Sequence, residues 1–258
     1  LLKSRLMILD PLFYTMAIPS VILIGLSKGG LTGIGALAVP LMAIVASPLQ
    51  AAAVLMPILL ILDIVAVWTY RKTYDKKTLL ITIPASIIGI VIGAILVSQI
   101  NTNLVRIIIG FIAISFTVSY WTSKNETKSQ GHSLTRGTIW GGITGFTSFV
   151  TLTGAPPYQM YLLPLRLEQR TYAGTFMIFF WMNNLLKILP FMMLGEMNKS
   201  TLITSTILFP ISLIFAFVGI WIVRKLPTKI FYEIIYILLF LVSIKLIIDG
   251  ISNMISIS

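Results

Sequence analysis

The chain repeats itself along its length, and this internal repeat restricts the folds open to it more than any other feature does. When the sequence is shifted by about 126 positions, Pro84 aligns with Pro210 and Gly93 aligns with Gly219. In a chain as apolar as this one, a repeat of that length is typical of secondary transporters. The repeat therefore predicts a membrane transport fold that is built from two copies of one unit.

Composition indicates that both copies are embedded in a membrane. Hydrophobic residues make up 57% of the chain and charged residues 10%, which is outside the range of soluble globular proteins. Apolar runs of about 20 residues recur, the length that an α-helix needs to cross the hydrocarbon core. We predict an all-α integral membrane protein with a first repeat at 1–121, a linker at 122–136 and a second repeat at 137–258. The runs expected to form regular spans are Leu49–Tyr70, Thr78–Ile100, Leu104–Trp121, Thr171–Leu194, Thr201–Val223 and Ile230–Ile248.

The net charge of +11 indicates orientation in the membrane rather than binding to nucleic acid. The cations concentrate in alternate loops, whereas a nucleic-acid surface would form one contiguous basic face with stacking aromatic residues. Loops rich in Lys and Arg face the cytoplasm. We therefore predict a multi-pass protein of the cytoplasmic membrane whose inside loops are 71–77, 122–136, 166–170 and 224–229. Corresponding loops of the two copies then lie on opposite sides, so the second repeat is predicted to be inverted.

Each copy opens with an apolar stretch that is too long for one straight span and is interrupted in its middle. These stretches are 12–47 and 137–165, and at the interruptions Gly33 aligns with Thr153 at a shorter offset. Glycine lets the backbone bend, and proline ends a helix. Open backbone at membrane depth is tolerated where it is buried in protein or lines a water-filled cavity. We predict that each copy is a broken, re-entrant helix hairpin followed by three transmembrane helices.

Glycine pairs with a four-residue spacing offer a purely structural alternative, because they let helices pack closely. Such pairs are Gly25 with Gly29, Gly89 with Gly93 and Gly141 with Gly145. We assign the packing role to Gly89 and Gly93, which lie in otherwise regular spans. At the two breaks we favour a functional role, since packing does not require polar residues beside them.

Charged residues inside the spans are costly and therefore indicate a purpose. Lys28 lies at the first break, and Asp63 lies deep in one span. Lys187 lies deep in another span, one turn after Asn183 and Asn184. Lys28 is expected to attract an anion, whereas for Lys187 anion attraction and snorkelling to the interface stay equally open. Asp63, which aligns with Asn184 to within about a residue, is expected to neutralise a lysine or to carry a proton.

The two breaks supply the remaining polar groups of a predicted anion site. Helix N-termini favour oxyanions. Gly33 and Gly154 are expected to approach each other near the bilayer centre, and His132, in the linker, is expected to be solvated. We expect the substrate to be bound by Lys28, Gly29, Gly30, Thr32, Gly33, Ser148, Thr151, Thr153, Gly154, Gln159, Asn183, Asn184 and Lys187, with Asp63 serving coupling or charge balance.

Several of these residues carry a resemblance to a known family. The chain is similar to the TauE/SafE sulfite exporter family in its GLSKGG run at 25–30, its Asp63 span with the ending TYRK, and its GAPP run at 154–157 followed by Asn184 and Lys187. The resemblance covers nearly the whole chain. It implies movement of small anions, chiefly sulfur oxyanions and organosulfonates, across the cytoplasmic membrane. Many members have a histidine and paired glycines before the Pro-Pro, where this chain has Leu152 and Gly154-Ala155.

Other classes of function were weighed against the same residues. An intramembrane enzyme would need a nucleophile with a base, paired carboxylates or metal ligands at membrane depth. With no cysteine, a single histidine and one deep aspartate, the sequence predicts no catalytic residue, metal or cofactor. An alternating-access carrier is the leading hypothesis, while an anion channel of the same architecture, a permease for another small carboxylate or sulfonate, and a homo-oligomer stay open. The expected partners are a small anion and the lipid bilayer.

Overall fold

The described part of the chain contains helices joined by turns and loops and has no strands, which confirms the predicted all-α class. The computed structural model describes residues 11–42, 44–46, 48–96, 99, 101–122, 129–150, 154–193 and 199–255. The α-helices are α1 (Pro11–Lys28), α2 (Ala38–Met42), α3 (Pro48–Tyr70), α4 (Lys76–Leu96), α5 (Thr102–Thr122), α6 (Leu134–Val150), α7 (Ala155–Leu162), α8 (Gln169–Met193), α9 (Lys199–Lys225) and α10 (Thr228–Ile255). Two short 3₁₀ helices lie at Ile34–Leu37 and Leu163–Leu165.

Among the described residues, five helices are long and apolar enough to cross a bilayer, and they make this a multi-pass membrane protein. They are α1, α4, α5, α9 from Thr201 onwards, and α10. The apolar part described in α3 is shorter, Val54–Tyr70. Over the described residues, each predicted regular span overlaps one helix, although α4 ends at Leu96, short of the predicted Ile100. A long apolar run in lipid satisfies its backbone polar groups only by hydrogen bonding within itself.

The first break lies where the sequence predicts it. Helix α1 ends at Lys28, and Gly30 and Gly33 follow with φ angles of 122° and 96°. These are conformations that residues with a Cβ rarely adopt. The arm before the break is longer than the re-entrant half expected there, because α1 has 18 residues and qualifies as a span by itself.

The second break follows the predicted bounds closely. Helix α6 ends at Val150, and α7 begins at Ala155 with Pro156 and Pro157 in its first turn. Proline suits this position because its missing N–H is one that a helix leaves unbonded there. Residues 151–153, which include two of the predicted site residues, lie outside the described part of the chain.

The helices divide into two compact units, and each unit takes helices from both predicted repeats. Unit one comprises 1–72 and 176–225, and unit two comprises 73–175 and 226–258. Within unit one, α1 and α3 both pack against α9. Within unit two, α4 packs against α6, and α5 packs against α10. The apolar core of unit one is formed mainly by α1, α3 and α9.

Glycines allow helix backbones to touch inside both units. A Cβ added at Gly25 would lie 2.3 Å from the carbonyl oxygen of Ser212 in unit one. In unit two, a Cβ added at Gly145 would lie 2.0 Å from the carbonyl oxygen of Ser86, and one at Gly89 would meet the α6 backbone at 2.0 Å. The packing role predicted for Gly89 is thereby confirmed. Gly25 and Gly145, at the broken stretches, also have packing roles.

Candidate functional site

A buried ion pair lies at the end of α1. The Nζ of Lys28 donates a hydrogen bond to Oδ1 of Asp63, which lies on α3. Lys28 is 8% exposed and Asp63 is fully buried. A buried charge without a partner costs several kcal/mol more than a paired one. Asp63 therefore balances the charge of Lys28, which is one of the two roles that we expected of it.

Asn184 forms a hydrogen bond with the second oxygen of the Asp63 carboxylate. Its Nδ2 donates to Oδ2 of Asp63 at 2.7 Å, and its side chain is buried. Both oxygens of Asp63 thus accept hydrogen bonds from protein groups, one from a cation and one from a neutral amide. Lys28, Asp63 and Asn184, which we call the polar triad, come from α1, α3 and α8 of unit one.

Tyr70 supports the backbone at the first break, and sequence analysis missed this role. Its hydroxyl donates to the carbonyl oxygen of Gly29 at 2.6 Å, and the residue is buried. Open backbone away from water must find hydrogen-bond partners. A buried tyrosine hydroxyl needs a partner as well. These two requirements, with Tyr70 at the end of the Asp63 span, were the signal that could have revealed the contact.

The backbone around Lys28 ends α1 in a way that suits a cation. The N–H of Gly30 donates to the carbonyl of Ser27 at 3.1 Å, and the N–H of Leu31 donates to that of Leu26 at 3.2 Å. Gly30 provides the positive φ angle that this kind of helix end requires. Lys28 is consequently the last helical residue, where the negative end of the helix dipole favours positive charge.

Three further predicted residues of unit one have defined surroundings. Gly29 packs against α9, where an added Cβ would lie 2.6 Å from the Cα of Gly219. Thr32 is fully buried just after the break. The amide of Asn183 donates to the carbonyl of Phe179 in its own helix at 2.9 Å. The side chain of Lys187 lies outside the described part of the chain.

The predicted residues of the second break belong to unit two. Ser148 is buried in α6, and Gln159 is fully buried in α7. Gly154 immediately precedes α7, and a Cβ added to it would lie 2.7 Å from the Cβ of Ser148. This position therefore needs a glycine for close packing of the two arms. Thr151 and Thr153 lie outside the described residues, and the expected approach of Gly33 to Gly154 stays a prediction.

His132 anchors the linker instead of being solvated as expected. Its Nε2 lies 2.8 Å from Oδ1 of Asp75, and its side chain is 23% exposed. The same carboxylate oxygen accepts a hydrogen bond from the backbone N–H of Thr78 at 2.6 Å and so caps α4. Burial acts to raise the pKa of Asp75, but the hydrogen bonds from Thr78 and His132 outweigh it and lower that pKa below its ordinary value.

Replacing Asp75 by asparagine should lower the stability of unit two in a pH-dependent way. Asparagine keeps a capping oxygen but loses the negative charge at the helix N-terminus, which is worth about 0.3–1 kcal/mol. Because the folded-state pKa of Asp75 is lowered, its contribution is complete above the ordinary pKa of aspartate and is lost as the pH falls through the lowered value. Thermal unfolding in detergent should show a wild-type advantage at neutral pH that shrinks in acid. A pH-independent difference would contradict this account.

The apolar spans, the broken backbone and the buried polar triad define a helical membrane protein with an ionic site inside its spans. The described residues contain no group of three or more His, Asp or Glu side chains that could hold a metal ion. The family model of the sulfite exporter TauE/SafE matches residues 17–246, and the chain therefore belongs to this family of membrane transporters. The matched range includes both breaks and the whole triad, and it confirms the resemblance found in the sequence. No curated protein and no solved structure matches the chain.

Proposed function

We propose that this protein is a secondary transporter that moves small sulfur oxyanions or organosulfonates across the cytoplasmic membrane by alternating access. The observation that carries the proposal is the buried Lys28, placed beside glycine-rich backbone and balanced by a single carboxylate. A charged side chain inside membrane spans marks a substrate pathway by default. A small anion can take the place of Asp63 as the partner of Lys28, and family membership makes a sulfur oxyanion the favoured occupant.

Repeated contacts support the two-copy construction on which many alternating-access transporters are built. Gly25 and Gly145 are 120 positions apart, like Gly33 and Thr153, whereas Ser86 and Ser212 are 126 apart. Gly25 packs on the Ser212 backbone in unit one, and Gly145 packs on the Ser86 backbone in unit two. The same pair of aligned positions thus meets twice, each time with one member from each copy.

The polar triad gives separate support for the two-copy construction. Asp63 and Asn184 occupy aligned positions of the two copies, and they are joined by a hydrogen bond. When two copies are related by a two-fold axis, equivalent residues can touch only close to that axis. Inverted-repeat transporters bind their substrates near the bilayer midplane, where the repeats meet. The triad is therefore the part of unit one that we assign to substrate binding.

Purified protein should be stabilised by at least one sulfur oxyanion and should carry it across a membrane. The screen compares sulfite, thiosulfate, sulfate, sulfoacetate, taurine and the small carboxylates acetate and malate, with chloride as the control. A ligand that binds only the folded state adds about 2.7 kcal/mol when present at 100 times its Kd. In proteoliposomes we expect saturable uptake that is accelerated by the same anion on the far side.

Three other outcomes would change the conclusion. Uptake that does not saturate, with no acceleration by anion on the far side, would indicate a channel and contradict the carrier. Stabilisation by small carboxylates alone would move the substrate class away from sulfur compounds. Absence of both binding and uptake for every anion in the screen would overturn the proposed function.

A further inference from the structure

We infer that Asp63 takes up a proton each time an anion displaces it from Lys28, and that Asn184 holds Asp63 in both of its protonation states. This inference rests on the proposed anion transport and deepens it by naming the coupling ion. It predicts that one proton moves together with each monovalent anion, in the same direction. The argument has three steps, which concern charge, hydrogen bonding and the surrounding groups.

Charge balance requires the two events to occur together. In the structure, Lys28 and Asp63 form a neutral pair that is buried from solvent. If a monovalent anion pairs with Lys28 while Asp63 stays ionised, the site holds a net negative charge away from water, which is costly. If Asp63 binds a proton as the anion arrives, the site is neutral again. Anion binding and proton binding therefore favour each other, and this coupling is reciprocal.

Hydrogen bonding gives Asn184 a specific part in the exchange. Its NH₂ group now donates to Oδ2 of Asp63, as an ionised carboxylate requires. A protonated carboxyl group carries an O–H donor and needs an acceptor. Lys28 has only donors, whereas the amide of Asn184 can turn to present its carbonyl oxygen. An amide at this position can therefore hydrogen-bond to Asp63 in both its ionised and its protonated form. A side chain that only donates, or only accepts, could bond to just one of the two forms.

Among the described residues of unit one, few other charged groups can influence Asp63. Helix α2 has none, and the described span of α9, Thr201–Val223, has none between its ends. Arg224 and Lys225, in the last turn of α9, are exposed. Tyr70, on α3 itself, is engaged with the backbone of Gly29. On α8, Asn184 is the side chain described against Asp63, while that of Lys187 lies outside the described residues. Lys28 on α1 is thus the charged partner that the described residues give to Asp63.

The proton follows a balanced path. It comes from water on the side where the anion enters and bonds to a carboxylate oxygen of Asp63. When the anion leaves on the other side, Asp63 releases the proton to water there and pairs with Lys28 again. No net charge is left in the site at either stage. The movement of a monovalent anion with one proton is consequently electroneutral.

The test measures proton and anion movement together in proteoliposomes that contain a pH-sensitive dye. The probes are monovalent, as the charge balance requires: sulfite in mildly acidic buffer, where it is hydrogensulfite, and the sulfonates methanesulfonate and isethionate. Each is applied as a gradient, and protein-free liposomes correct for passive entry of weak acids. Wild-type protein should move about one proton with each transported anion, and an imposed pH gradient should drive anion accumulation of at least tenfold. Anion transport without proton movement would overturn the inference and leave the proposed function standing. Absence of transport for all three anions would overturn both.

Variants separate coupling from folding. Asp63→Asn cannot bind a proton, so proton movement should be lost while anion exchange without net transport continues. Asn184→Ala should raise the pH midpoint of anion exchange by about one unit, because the hydrogen bond that it removes is stronger to the ionised form of Asp63 than to the protonated form. Ser20→Ala is the control, because Ser20 is also buried in unit one and bonds only the carbonyl of Met16 in its own helix among the contacts described, and it should leave the midpoint unchanged. Proton-coupled transport by Asp63→Asn would overturn the inference. If Asp63→Asn does not fold, an unchanged pH midpoint in Asn184→Ala would overturn the inference instead.

Discussion

Replacing Lys28 by methionine should abolish anion binding and should also destabilise the protein. Methionine keeps most of the apolar stem but removes the charge, so the fully buried Asp63 would lose its cationic partner and retain only Asn184. Removing one member of a buried ion pair costs about 3–5 kcal/mol. The measurements are thermal unfolding in detergent and equilibrium binding of the anion that gives the largest stabilisation of the wild type.

The double variant Lys28→Met with Asp63→Asn separates the two effects. It removes both charges, so most of the lost stability should return. Anion binding should stay at least about 100-fold weaker than in the wild type, which corresponds to about 2.7 kcal/mol. Wild-type affinity in the stable double variant would reject Lys28 as the anion ligand. The backbone N–H groups of the two breaks would then be the remaining candidates.

Replacing Gly145 by alanine should lower the stability of the protein, whereas replacing Gly142, three residues earlier in α6, should not. A Cβ at Gly145 would lie 2.0 Å from the carbonyl oxygen of Ser86, whereas the nearest atom to a Cβ at Gly142 would be 3.7 Å away. Gly145→Ala must force α4 and α6 apart, at a cost of about 1–3 kcal/mol or more. Gly142→Ala should be neutral or stabilising by up to about 1 kcal/mol, because alanine favours the helix.

Thermal unfolding and the yield of folded protein check this pair of variants. Since both replacements add the same methyl group to the same helix, helix propensity and hydrophobicity are matched between them. Equal behaviour of the two variants would show that the close contact between α4 and α6 does not limit stability. Gly25→Ala, at the aligned contact of unit one, should behave like Gly145→Ala, because its added Cβ would meet the backbone of Ser212 at 2.3 Å.

The helices and their breaks could be predicted because the signals are local. A long apolar run in lipid has no alternative to a helix, and the glycines around Gly30 interrupt one wherever the chain folds. The contacts between helices could not be predicted, since they join distant positions. The alignment placed Asp63 and Asn184 at equivalent positions but did not indicate that they touch.

The role of a given glycine was equally hidden in the sequence. Gly25 and Gly29 have the four-residue spacing that serves either a bend or a close packing contact, and the spacing alone cannot separate the two. Gly25 turned out to be a packing residue, and Gly29 combines packing against α9 with a carbonyl that Tyr70 binds. The position of Tyr70 at the end of the Asp63 span indicated that its hydroxyl needs a partner, but it did not identify that partner as Gly29, which lies 41 positions away.

Each compact unit contains helices from both repeats, and this arrangement has a consequence for biosynthesis. A chain made from its N-terminus inserts α1 long before α9, the helix that covers its glycine face, has been translated. Lys28 has a much nearer partner, since Asp63 follows only 35 residues later. A nascent chain can therefore pair Lys28 with Asp63 as soon as α3 has been inserted, while the glycine face of α1 stays open to lipid until α9 has been translated. We expect the ion pair to form early in folding and the close glycine contacts between α1 and α9 to form late.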